Sequence, residues 1–106
     1  MSHTRKEWTI VLGAEARLDV WVEITRGRVQ QFGITLNMLK GNRAYPVIRY
    51  DTAHGVVHKH TFWGGEERIE NRPFQVRSLN RAFERAYKDV SRNWARYLEL
   101  YRGERR

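Results

Sequence analysis

The chain has 106 residues and no cysteine. That absence excludes a disulfide framework, a thiol nucleophile and a Cys-based zinc site. No apolar run approaches the roughly 18 residues of a spanning helix, so no helical membrane span is expected and no membrane association. The opening Met1-Ser2-His3-Thr4-Arg5-Lys6-Glu7 has no apolar segment behind its charges that reads as a secretory signal. A cytosolic protein is the expectation. No GxSxG elbow, Gly-rich phosphate loop, GxGxxG or HExxH follows a strand or sits on a helix, so no cofactor is expected. Internal repeats and low-complexity stretches are also missing.

Aromatic residues and positive charge are plentiful. Four Trp, five Tyr and four Phe are too many for a disordered chain. The length fits a single domain over residues 1–106, large enough to fill one core. Twenty Lys and Arg against twelve Asp and Glu leave a formal charge of +8, and sixteen of the twenty cations are Arg. Arginine pairs with phosphate or carboxylate at two points and stacks on bases. Such a balance points to a polyanionic partner, either nucleic acid or an acidic protein. A GC-rich genome would favour Arg codons without any such partner.

Hydrophobic periodicity then sets the fold class. Trp8-Thr9-Ile10-Val11-Leu12 reads as a first strand closed by Gly13. Leu18, Val20, Val22 and Ile24 alternate with polar neighbours and Trp21. After a turn at Arg26-Gly27 the alternation resumes at Phe32, Ile34, Leu36 and Met38. Lys40-Gly41-Asn42 is a second turn, and Pro46 marks entry to the next strand. Segments 47–51 and 56–63 form a further pair, and Ile69 stands in a weak sixth strand. Beyond Pro73 the period changes. Leu79, Phe83, Ala86, Val90, Trp94, Tyr97 and Tyr101 follow at intervals of 4, 3, 4, 4, 3 and 4, one stripe of a long helix. Ser78 suits its N-cap and Gly103 its C-terminal stop. The expected architecture is α+β: an antiparallel sheet of about five strands with one long C-terminal amphipathic helix packed across it.

A second row follows that helix. Arg77, Arg81, Arg85, Lys88, Arg92 and Arg96 fall within an arc of about 100° opposite the apolar stripe. Like charges at these spacings repel by a few tenths of a kcal/mol per pair, and a merely solvated face more often mixes signs. Glu84 and Asp89 flank the arc and Glu99 falls inside it near the far end, so the row is partly neutralised; it is a candidate surface for RNA phosphates or an acidic protein partner, or else a solvated face.

Three of the four histidines lie within the segment Arg49-Tyr50-Asp51-Thr52-Ala53-His54-Gly55-Val56-Val57-His58-Lys59-His60. With residues 52–55 as the connection, Arg49 is expected opposite His58, Asp51 opposite Val56 and Val47 opposite His60. Alternation then puts Arg49, Asp51, His58 and His60 on one face, and Ile48 and Tyr50 on the other. Two histidines can act as general base and acid, an arginine can stabilise a phosphoryl oxygen, and an aspartate can orient an imidazole. Together with His54 at the turn, this is a kit for metal-independent RNA cleavage. The same His and Asp side chains could instead bind a divalent metal, or form a plain polar strand face with Arg49 paired to Asp51. Trp21 and Trp63 could stack bases on a sheet face or pack the sheet.

The hairpin resembles the TumE-like small proteins of bacterial toxin–antitoxin loci, which share an arginine–tyrosine/tryptophan–aspartate strand, a histidine-rich return, a short acidic connection and a C-terminal helix. The resemblance runs from Val47 to Tyr101, with Val56-Val57 where that family has a proline-rich return. It implies a toxin acting on RNA, held inactive by a helix-turn-helix antitoxin encoded beside it. The residues it implies are Arg49, Asp51, His54 and His58, with His60 beside them. The expected function is therefore a small basic RNA-acting protein. The alternatives are a non-catalytic nucleic-acid-binding module using the Arg-rich helix, and a metal-binding protein. The sequence leaves a homodimer open.

Overall fold

A computed structural model of the chain describes residues 2–104. Six strands form one antiparallel sheet in simple chain order: β1 (His3–Val11), β2 (Ala16–Thr25), β3 (Arg28–Lys40), β4 (Arg43–Ala53), β5 (Val56–Thr61) and β6 (Arg68–Asn71). A single helix, α1 (Leu79–Glu104), follows. This is the expected α+β architecture, with β6 as the sixth strand beside the five. Among the described residues no helix is long and apolar enough to cross a membrane.

Even-numbered side chains of the first strands make the core. Leu18, Val20 and Val22 lie opposite Leu36, Ile34 and Phe32, and Ile48 and Tyr50 continue the layer into β4. Onto this face α1 lays Ala82, Ala86, Val90, Leu98 and Tyr101, all buried. Trp8 of β1 meets Phe83 edge-on at 6.4 Å. The helix starts where Ser78 Oγ accepts from the Arg81 amide at 3.2 Å and Ser78 O accepts from the Ala82 amide. It runs through Gly103, whose backbone is helical, so the expected stop there does not occur.

Three boundaries differ from the sequence expectation for identifiable reasons. β1 begins at His3 rather than Trp8, because an edge strand pairs through its backbone whatever its side chains. Arg5 and Glu23 are direct partners there and are bonded at 3.0 Å. Pro46 lies inside β4, at a bulge where the pairing slips between Leu36–Ile48 and Asn37–Pro46. A bulge is one of the few sheet positions that tolerate proline. Arg77 precedes the cap and so lies outside the helix, which leaves five cations of the row on α1.

Candidate functional site

The β4–β5 hairpin turns on His54-Gly55, both in the left-handed region at φ +54° and +75°. Two such residues give a hairpin turn whose twist matches the strands, with glycine at the second position and a residue type that tolerates positive φ at the first. The expected register is therefore two residues out. Arg49 lies opposite His60, Asp51 opposite His58, and Ala53 opposite Val56. A shift of two preserves alternation, so Arg49, Asp51, His58 and His60 still share one face, the face that α1 does not cover. His54 is left at the exposed tip and makes no side-chain hydrogen bond among the described residues.

On that open face the four residues form an ionic network with two residues the sequence did not point to. His60 is held between two carboxylates: Nε2 lies 3.1 Å from Asp51 Oδ1 and Nδ1 lies 2.9 Å from Glu67 Oε1. A neutral imidazole donates from one nitrogen only, so both contacts are hydrogen bonds only when the ring carries two protons. Its side chain is 13% exposed and neither nitrogen is free for a substrate. Arg49 reaches Asp51 at 3.4 Å through Nε and Glu67 at 3.8 Å. That Nε is shut off from solvent without a well-formed hydrogen bond. His58 differs: Nδ1 lies 2.6 Å from Asn71 Oδ1, a contact that in the neutral ring puts the proton on Nδ1 and leaves Nε2 as the acceptor. Asn71 comes from β6, directly opposite His58. Its only signal in sequence was its place two residues from Ile69. Glu67 lay in the polar connection and gave none. Among the described residues no group of three His, Cys, Asp or Glu side chains is placed to hold a metal ion.

The open face continues across β1–β3. Trp21 lies over Gly33, where a Cβ would collide with the indole Nε1. Arg5 covers the ring at 4.5 Å and is itself tied to Glu7 and Glu23. Asp19 accepts from Thr9, Arg17 and Asn37. Three arginines (Arg5, Arg17, Arg49) here meet five carboxylates (Glu7, Asp19, Glu23, Asp51, Glu67), a formal balance of −2 with histidines neutral. Trp63 is not on this face; it stacks on Tyr97 of α1 at 5.8 Å.

The helix side carries the cationic row. Arg81, Arg85, Lys88, Arg92 and Arg96 are all exposed, as is Arg77 ahead of the helix, and none enters an ion pair within 4 Å among the described residues. Beneath them Asp89 accepts from Tyr50 at 2.5 Å, Tyr97 at 2.6 Å and Asn93 at 3.0 Å, a latch between β4 and the helix. Burial, reinforced by the bonds to Asp89, raises both phenols far above the ordinary tyrosine range, so both remain donors.

Fold and surface together define a small α+β protein whose sheet has one covered and one open face, the covered side carrying an unpaired cationic row. The chain belongs to the family described as a domain of unknown function, DUF7718, whose model matches residues 3–106. No curated protein and no solved structure matches it.

Proposed function

We propose that this protein binds RNA along the outer face of α1. The observation that carries the reading is the row of five helix cations, exposed and without carboxylate partners within 4 Å among the described residues, on a helix about 39 Å long. Phosphates spaced along a strand are the ligand that such a row fits. The test is a salt titration of RNA affinity. Arg81→Ala/Arg85→Ala/Arg92→Ala weakens binding and flattens the dependence on salt by about 0.7 per lost contact on a single strand. An unchanged slope removes the row from RNA binding.

A second reading is favoured by one specific observation. His58, with Nδ1 tied to Asn71 and Nε2 open, has the geometry of a general base. Joined to the TumE-like resemblance, it supports metal-independent RNA cleavage by a toxin whose partner is a cognate antitoxin. Arg49 and Asp51 would then frame the site. Incubating labelled RNA at low salt with and without EDTA, beside His58→Ala, decides it. Cleavage that survives EDTA and vanishes in the variant establishes the chemistry. RNA that is bound and left intact leaves a binding protein.

A further inference from the structure

The cationic face of α1 is not uniform. Arg85, Lys88 and Arg92 line a groove of about 440 Å³ between helix and sheet, within the usual ~300–1,000 Å³ of small-ligand sites. Its far side carries Lys59 of β5, and Phe74 comes from the segment ahead of the helix. None of these four cations enters an ion pair within 4 Å among the described residues. The Asp89 carboxylate at the base of the groove accepts from Tyr50, Tyr97 and Asn93 and forms no ion pair within 4 Å with these cations among the described residues.

The groove also contains an aromatic column. Phe74 stacks on Tyr50 with ring centres 5.3 Å apart and planes inclined by 23°. The Arg85 guanidinium lies over Phe74, 4.9 Å from the ring centre. This contact holds the guanidinium against an aromatic ring before any ligand arrives, and it enters no ion pair among the described residues. A single-stranded nucleotide offers both things that the groove presents a partner for: a phosphate, and a free base face that stacks on arginine as on an aromatic ring. Bases in a duplex are already stacked on each other and offer no such face.

We propose that this groove is a nucleotide subsite that takes one unit of single-stranded RNA, with Lys59, Lys88 and Arg92 on the phosphate and the base stacked on Arg85. The proposal rests on the reading that the helix face binds RNA, and it adds a preference for unpaired strands.

The test uses Arg85→Lys, which keeps the charge and removes the plane. Binding of a labelled single-stranded RNA and of a duplex is measured by anisotropy. Uridine 5′-monophosphate is titrated separately while the Phe74 ring protons are followed by NMR. The expected result is a loss of about tenfold or more for the single strand, unchanged duplex affinity, and a Phe74 shift with the mononucleotide that weakens in the variant. RNA binding that Arg85→Lys leaves equal for both ligands, with Phe74 unmoved, overturns the subsite and leaves the phosphate-binding row standing. A wild-type protein that binds no RNA overturns the row. In that case the mononucleotide decides the groove alone: a Phe74 shift lost in the variant keeps it as a nucleotide site, and no shift removes it as well.

Discussion

The two faces of this sheet carry similar residue types and use them in opposite ways. On the open face three arginines have carboxylates beside them: Arg5 with Glu7 and Glu23, Arg17 with Asp19, Arg49 with Asp51 and Glu67. On the helix side Arg81, Arg85, Lys88, Arg92 and Arg96 have none among the described residues. A guanidinium that is already paired offers a ligand little, because the ligand must first displace the internal carboxylate. An unpaired one attracts phosphate at once and pays for that availability only with mild repulsion from its neighbours. The mere presence of arginine would rank the two faces as alike. Pairing separates them, and it separates the histidines from the cationic row by the thickness of the molecule. RNA held along α1 does not thereby lie over His58.

The sharpest way to break this comparison is to loosen the latch that seats the helix. Asp89→Ala leaves the buried Tyr50 hydroxyl without an acceptor. We expect a loss of about 2–4 kcal/mol, read by urea unfolding, from one stranded buried donor and two further lost bonds. A loss below about 0.5 kcal/mol would show that the latch does not hold the two layers. Alkaline pH probes the same contact. Burial and the bonds to Asp89 hold Tyr50 and Tyr97 above the ordinary tyrosine value of about 10, so their stabilisation is intact below that pH. Above it the unfolded chain sheds protons that the folded one keeps, and stability falls. Tyr50→Phe should flatten that fall.

Smaller in effect is the contrast in RNA affinity between the faces. Removing the three arginines 81, 85 and 92 should weaken binding by roughly ten- to a hundredfold at low salt. Arg49→Ala on the open face should change it less than about twofold, because that charge is already neutralised. Equal losses would erase the distinction between paired and unpaired cations.

Gly33→Ala perturbs the open face by itself. Its Cβ would meet the Trp21 indole, and the ring must lift away. A cost of about 1–3 kcal/mol is expected, together with altered tryptophan fluorescence and unchanged RNA affinity. An unshifted emission spectrum would mean that the indole does not rest on the strand. The smallest expected effect is that of Asn71→Ala. Stability should move by no more than about 1 kcal/mol for one exposed hydrogen bond. The ¹⁵N shifts of His58 should report loss of the single Nδ1–H tautomer, and an unchanged spectrum would show that Asn71 does not set it.

Much of the molecule was legible in the residues. Period-two runs at 18–24 and 32–38 marked the central strands, the stripe from Leu79 to Tyr101 marked the helix, and Ser78 marked its start. The face shared by Arg49, Asp51, His58 and His60 followed from alternation, which survived an error of two in the register. It did so because the sheet repeats every two residues. The exact turn was harder: 52–55, 53–54 and 54–55 all close a hairpin of the same parity, and only the positive φ at His54 and Gly55 picks one.

Local pattern alone determined the fold class, the covered and open faces, and the cationic row, since each depends on spacing along the chain. The structure alone decided which charges are paired. Glu67 reaches His60 from a connection and Asn71 reaches His58 from a four-residue strand, both across gaps in sequence that no periodicity spans. The groove likewise joins Lys59, Phe74 and Arg85 from three separate segments. Such contacts depend on how strands stack side by side and how the helix is seated, and those are properties of packing rather than of spacing.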